Sequence, residues 1–282
     1  MGCYAIHAEC LSWLRQQPDN HFDLVFTSPP YENARKLDGV EIHRGEAWVE
    51  WALERYMECV RVCRGLVAWV VDSPTKDFRW TATPALLMAD LHRSGVGLRK
   101  PPLFRRVGIP GSGGPDWWRS DYEFTICATK GRLPWANNTA TGQPPKFAPG
   151  GAMSHRKQSG ERVDAVEAYT PPKIANPGNV VQANYTAQQL AEWLAEPCDV
   201  LDRIVGGGHM GSPLAFENEA PFPESLAEAY IRSFCPPGGL VLDPFCGSGT
   251  TLAVAQRLDR NAIGLDVRHS QIVTTTDRLL LG

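Results

Sequence analysis

Leu240-Val-Leu-Asp-Pro-Phe-Cys-Gly-Ser-Gly-Thr-Thr251 decides the fold. A short apolar run ends on an aspartate, a glycine-rich turn follows, and TLAVAQRL then reads as a helix. Strand, tight turn and helix in that order make half of a βαβ unit. Gly247 and Gly249 permit the sharp turn and let a ligand come close to the backbone. The next strand, Ala262 to Val267, carries Asp266 at its end, nineteen residues after Gly247. An acidic residue there accepts hydrogen bonds from ribose hydroxyls. The unit therefore predicts a site for a nucleoside-containing cofactor. Leu252 stands where a dinucleotide fingerprint has its third glycine, which argues against a nicotinamide oxidoreductase, and the chain has no GKS or GKT phosphate loop. S-Adenosylmethionine, with ribose and adenine but no pyrophosphate, suits what remains.

A second loop, Thr27-Ser-Pro-Pro-Tyr31, closes the apolar run DLVF near the other end of the chain. Proline cannot continue a central strand, so the strand stops there. One reading is a proline-rich strand end plugged by an aromatic ring. The other is chemical. An exocyclic base amine is a poor nucleophile because its lone pair is delocalised into the ring. Methylating it calls for rigid acceptors that draw the nitrogen toward sp³ as charge develops, and carbonyls fixed by prolines meet that need without reorganising. A serine hydroxyl can bond the ring edge, and an aromatic face can hold a base that has left its stack.

Between the loops, strands and helices alternate. EAWVEWALERYMECVRVCR (46–64) has apolar residues at helical spacing, at Trp48, Trp51, Ala52, Met57 and Val60, with Gly65 as its stop. GLVAWVVD reads as a strand buried on both faces. A helix over 83–94, strands near 100–109 and 122–130, and helices in AQQLAEWLAE and PESLAEAYIRSF complete the pattern, and the tail QIVTTTDRLL can form a short helix. The fold class expected is α/β, an open, doubly wound, mostly parallel sheet. Residues 134–179 contain seven prolines and five glycines and read as an irregular functional insertion.

The composition fits this picture. The 282 residues are 43% hydrophobic and 21% charged, which excludes a wholly disordered chain. No apolar run reaches the ~18 residues of a membrane helix, and the start shows no secretory signal. Eight cysteines are scattered without a CxxC, so reduced thiols are expected and neither a disulfide scaffold nor a metal site is; Cys59 and Cys63, i,i+4 on the expected helix, read as core. The net charge of -3 hides an asymmetry. Residues 93–173 hold 13 Lys and Arg against 6 Asp and Glu, on an otherwise acidic body. That basic middle is either a polyanion-binding face or a solvated loop region.

The two loops together resemble the paired signature motifs of the S-adenosylmethionine-dependent DNA amino-methyltransferases. With the catalytic motif first and the cofactor motif last, the order is that of the circularly permuted β class. HAEC is similar to the family's Gly-Asp element, with Ala8 in place of the glycine and Glu9 in the acidic place. APFPESLAEAYI resembles the helix before the cofactor strand, and YEFTICATK a late strand. The resemblance implies a Rossmann-like methyltransferase fold divided into a catalytic half (1–130), a target-recognition region (131–215) and a cofactor-binding half (216–282). It implies that Ser28, Pro29, Pro30 and Tyr31 hold the target base. Asp243, Phe245, Gly247, Ser248, Gly249 and Thr250 would line the cofactor pocket, with Asp266 on the ribose, Glu9 toward the adenine and Phe222 where many relatives have lysine.

Arg105, Arg106, Arg119, Lys146, Arg156 and Lys157 are candidate phosphate contacts, and Trp117-Trp118 either stacks at the DNA or packs locally. The SPPY form leans toward cytosine-N4 methylation. Adenine-N6 methylation on the same scaffold and a catalytically silent DNA-binding relative are the alternatives. Expected partners are double-stranded DNA and a cognate restriction endonuclease, with no metal and no membrane, for a monomer or homodimer at the nucleoid in the cytoplasm of a bacterial or phage-infected cell.

Overall fold

The computed structural model describes residues 2–32, 42–105, 113–116, 118, 120, 122–142, 144–145, 147, 149–150, 154–164, 168–182, 212–214 and 222–281. In chain order the elements are β1 (Cys3–His7), α1 (Cys10–Leu14), β2 (Phe22–Thr27), α2 (Glu46–Val62), β3 (Cys63–Val71), β4 (Thr75–Lys76), β5 (Arg79–Trp80) and α3 (Thr83–Arg93). There follow β6 (Leu103–Arg105), β7 (Tyr122–Ala128), β8 (Ser154–Arg156), β9 (Arg162–Asp164) and β10 (Val180–Gln182). The chain then runs through α4 (Glu224–Phe234), β11 (Leu240–Asp243), α5 (Thr250–Arg257), β12 (Asn261–Asp266) and α6 (His269–Leu281).

Eight strands form one sheet in the order β1-β12-β11-β2-β3-β7-β6-β10. The five strands from β1 to β3 are parallel, and β7 runs against both of its neighbours. The expected mostly parallel, doubly wound sheet is therefore present. The chain leaves β2 toward β3 but leaves β11 toward β12, so the order reverses between β2 and β11. Ligands of open α/β sheets bind outside the carboxyl ends of strands at such a point.

Both faces of the sheet are covered. Val67, Trp69 and Val71 of β3 join the core beneath α1, α2 and α3, while Leu66, Ala68 and Val70 join the core beneath α4 and α5. This period-two division of a continuous apolar run follows from the alternation of side chains along a strand. Among the described residues no helix is long and apolar enough to cross a membrane.

Several expectations are corrected in detail. The helix over 46–64 ends at Val62, and Cys63 is already extended. Gly65 is thus no helix stop. It lies in β3 beside an irregularity in the pairing with β2, where a side chain would run into the Asp23 carbonyl. The buried stripe of α2 runs through Trp48, Val49, Ala52, Tyr56, Cys59 and Val62, and Met57 faces outward.

Cys59 and Cys63 sit on different elements, both buried, and burial pushes both thiols up, Cys63 to about 12. Among the described residues no cluster could hold a metal ion. The insertion is less irregular than its composition suggests. It contains the hairpin of β8 and β9, and just beyond it β10 extends the sheet beside β6. The expected helix in AQQLAEWLAE lies outside the described residues.

Candidate active site

The glycine-rich turn between β11 and α5 has the backbone its sequence demands. Gly247 has φ +49° and Gly249 φ +78°, values that side-chain-bearing residues rarely adopt. Gly247 N–H donates to Asp266 Oδ2 at 3.2 Å, tying the turn to the end of β12. The helix packs closely on β12 without a glycine at position 252. Space comes instead from Gly264 on the strand, where a Cβ would press on Cys246 and Leu252.

Two residues of α6 hold the turn from behind. Thr275 Oγ1 donates to the Gly247 carbonyl at 2.7 Å. The buried Arg278 donates to the Ser248 carbonyl at 3.2 Å and to Thr250 Oγ1 at 3.0 Å, and it pairs with Glu224 of α4 at 2.6 Å. Ser248 and Thr250 are accordingly buried and engaged from that side. Neither Arg278 nor Thr275 has a local sequence signal, because their role exists only once α6 folds back on the turn.

The Ser-Pro-Pro-Tyr loop stands at the end of the neighbouring strand. Thr27 Oγ1 donates to Asp243 Oδ1 at 2.5 Å, both side chains being buried, so the two motifs meet at the switch point. Beyond it, Ser28, Pro30, Tyr31 and Glu32 are each held by hydrogen bonds. Ser28 Oγ is placed to donate to Tyr31 Oη at 3.1 Å or to the Val70 carbonyl at 3.2 Å. Trp48 Nε1 of α2 donates to the Pro30 carbonyl at 2.8 Å, and Tyr31 Oη to Glu123 Oε2 of β7 at 2.9 Å. Glu32, also buried, accepts from Gly45 N–H at 2.9 Å and from the hydroxyls of Thr81 and Thr83. Burial, then the charge of Glu123, raises the Tyr31 phenol well above its usual range.

Asp243 is the central acid. Burial, opposed by the nearby hydroxyls of Thr251 and Thr27 and by the Phe245 N–H, raises its carboxyl to about 6. Its Oδ2 is buried with no hydrogen-bond partner among the described residues. Such an orphaned acceptor is costly unless a donor from a ligand completes it. Asp266 is buried at the mouth of the turn, where Arg268 N–H and side chain donate to it. Phe245 packs on Trp51 and edge-on to Trp69, and Phe222 packs edge-on to Phe26.

Glu9, expected toward the adenine, has a structural role in the fold. It caps α1, accepting from Leu11 and Ser12 N–H at 3.0 and 2.8 Å, and pairs with Arg55 at 2.9 Å. Partial burial works against these partners, yet together they lower its carboxyl to about 2. An N-cap aspartate or asparagine is the usual device; here the longer glutamate does it.

The basic candidates divide. Arg105 is exposed at the end of β6, and Arg156 and Lys157 are exposed on the β8–β9 hairpin, where Lys157 pairs with Glu161 at 3.1 Å. Trp118 is almost wholly exposed. Arg106, Arg119, Lys146 and Trp117 lie outside the described residues.

A family model described as DNA methylase, of the N6/N4 methyltransferases, matches residues 22–277. The chain belongs to this family. The orphan methyltransferase M.BamHII of Bacillus amyloliquefaciens is 26% identical over 93% of the chain and 89% of its own length. The DNA adenine methyltransferase YhdJ of Escherichia coli K12 is 24% identical over 97% and 81%. Among solved structures, the cytosine-N4-specific PvuII DNA methyltransferase shares the fold with a TM-score of 0.65 at 17% identity, covering 99% of the chain and 86% of its own. An M1.HpyAVI–S-adenosylmethionine complex does so with a TM-score of 0.54 at 18% identity, covering 98% and 100%.

This DNA methylase family is S-adenosylmethionine-dependent. The turn fits that cofactor: a backbone free of side chains at Gly247 and Gly249, an acid at the end of β12 and an unpartnered acceptor at Asp243.

Proposed function

We propose that this DNA methylase methylates the N4 amine of cytosine in double-stranded DNA at a specific site. The observation that supports methyl transfer, to either base, is the Thr27–Asp243 hydrogen bond between the Ser-Pro-Pro-Tyr loop and the strand that leads into the glycine-rich turn. S-Adenosylmethionine, when bound, supplies an electrophilic sulfonium methyl group. Asp243, Gly247, Gly249 and Asp266 would hold it, with Phe245 as an apolar wall and Phe222 beneath. The protein's own task is to bring an amine in line with that carbon and to keep water out.

Extruding a base from a duplex costs a few kcal/mol, of which stacking on an aromatic ring returns about 1–3. Tyr31 would provide that ring, held by its hydroxyl. The Pro29 carbonyl would accept from the amine and orient its lone pair toward the methyl donor, while the neighbouring Pro30 carbonyl is kept in place by Trp48. Ser28 would accept from the second hydrogen of the amine while its own hydroxyl points to Tyr31, and the Ser-Pro-Pro-Tyr form of the loop favours cytosine. The basic stretch from Arg105 through Lys157 would contact phosphates within a target-recognition region at 131–215, flanked by catalytic (1–130) and cofactor-binding (216–282) halves. A bacterial cytoplasm and a cognate restriction endonuclease suit such an enzyme.

Adenine-N6 methylation is the second reading, favoured by the similarity to YhdJ. Mass spectrometry of nucleosides from the DNA of cells expressing the protein separates the two. N4-Methylcytosine is the expected product, N6-methyladenine would replace the first reading by the second, and neither modification would refute both.

A further inference from the structure

The hydrogen bonds of the Ser-Pro-Pro-Tyr loop do not end within it. Ser28 Oγ donates toward Tyr31 Oη, and Tyr31 Oη donates to Glu123 Oε2, at 3.1 and 2.9 Å. Glu123 lies in β7 and is 9% exposed. Its neighbour on β6 is the apolar Phe104. On the other side the register Val71↔Phe124 brings Asp72, just past the end of β3, level with it. Asp72 is the other carboxylate whose charge acts on Tyr31. A buried carboxylate joined by two hydroxyls to the base-holding loop has no part in binding the base or the cofactor as read above.

We propose that Glu123 is the terminal proton acceptor of the methyl-transfer site, acting through Tyr31 and Ser28. This rests on the function proposed above and deepens it. As the nitrogen–carbon bond forms, the carbon–sulfur bond breaks and its electron pair stays on sulfur. The amine nitrogen is left cationic with one proton too many. Ser28 Oγ takes that proton as it passes its own to Tyr31 Oη, and Tyr31 passes its own to Glu123 Oε2. Base, serine and tyrosine all end neutral, and the resulting carboxylic acid returns its proton to solvent.

The relay follows from what each group can hold. An alcohol oxygen does not keep a second proton near neutral pH, so Ser28 accepts one only by releasing its own. Of its two acceptors, the Val70 carbonyl leads nowhere, whereas Tyr31 leads to a titratable group. Tyr31 cannot instead give up its proton at the outset and serve as the base, because burial and the nearby carboxylates oppose its ionisation.

The test uses the full chain with duplex DNA under single-turnover conditions. Glu123→Gln keeps an acceptor for Tyr31 but cannot take a proton. Its rate is expected to fall about 100-fold, at the low end of general-base effects, with DNA affinity unchanged. Tyr31→Phe keeps the ring and breaks the chain, so it should lose a similar factor. The double variant should be no slower than the slower single one, because the groups act as a unit. If Glu123 merely positions Tyr31, Glu123→Gln will match the wild type, and the proposal is overturned.

The acidic limb of the pH–rate profile should vanish in Glu123→Gln and persist in Asp72→Asn; the opposite pattern overturns the proposal. A readout without cofactor or DNA is the infrared C–O stretch of Tyr31, isolated as the difference between wild type and Tyr31→Phe. It should shift in Glu123→Ala, which removes the acceptor, and an unmoved band denies the hydrogen bond itself. A wild-type chain that methylates no DNA removes the underlying reading, and this proposal falls with it. Active wild type with equally active Glu123→Gln removes this proposal alone.

Discussion

Thr27 and Asp243 lie 216 residues apart and share a buried hydrogen bond of 2.5 Å between the carboxyl ends of adjacent parallel strands. One threonine hydroxyl thereby links the two halves of the site. Thr27→Val preserves shape and removes the donor, leaving Asp243 Oδ1 with the Phe245 N–H alone. The expected cost is about 1–3 kcal/mol, read as a lower urea midpoint, together with weaker S-adenosylmethionine binding by calorimetry. Thr27→Ser should recover most of both.

Asp243 also gives the stability a pH signature. Its carboxyl is raised from 3.8 to about 6 in the folded chain. A raised acid binds a proton in the folded state that the unfolded state has released, so stability falls as pH rises between roughly 4 and 6. The favourable contribution is complete below that window and gone above it. Asp243→Asn should flatten this part of a plot of urea midpoint against pH. Glu9 acts in the opposite sense at lower pH: its carboxyl is lowered to about 2, so its contribution is lost as pH falls below the ordinary carboxylate range.

Arg278 is expected to be the most sensitive residue of α6. It is buried, paired with Glu224 and bonded to the back of the cofactor turn. Glu224 keeps Arg257 at 2.6 Å when Arg278 is removed, so the expected loss is that of the hydrogen bonds to the turn, about 1–3 kcal/mol. Arg278→Ala should lower the denaturation midpoint accordingly and speed amide exchange in residues 247–250. Arg278→Lys should recover little of this, since a single ammonium cannot serve Ser248, Thr250 and Glu224 from different edges.

Gly249→Ala tests the turn directly. The residue has φ +78°, and its Cβ would strike the Thr275 side chain. Backbone strain of this kind costs about 1–3 kcal/mol. The variant should melt earlier and bind the cofactor at least tenfold more weakly. A variant with unchanged affinity would mean that the turn does not touch the cofactor.

Much of this was legible in the chain itself. The alternation of apolar strands and amphipathic helices predicts the sheet, and the two loops fall at the strand ends where their prolines and glycines place them. What escaped reading is tertiary. The hairpin at Ser154–Arg156 and Arg162–Asp164 has no hydrophobic alternation, so nothing local marks it. Glu123 looks like any polar residue in a strand until Tyr31 reaches it. Glu9 occupies the acidic place of a motif, and its carboxylate also caps α1, which the motif does not announce. Leu252 takes the place of a third glycine in the motif, and the glycine that gives the helix room, Gly264, lies in the following strand where no motif marks it.

The outermost strand of the sheet has a consequence for synthesis. β1, at residues 3–7, pairs with β12, at residues 261–266. On the ribosome, β1 must therefore wait until residues 261–266 have been made for its neighbour. A polypeptide interrupted before that point has neither Asp266 nor the Arg278 brace behind the glycine-rich turn, however well its early strands assemble.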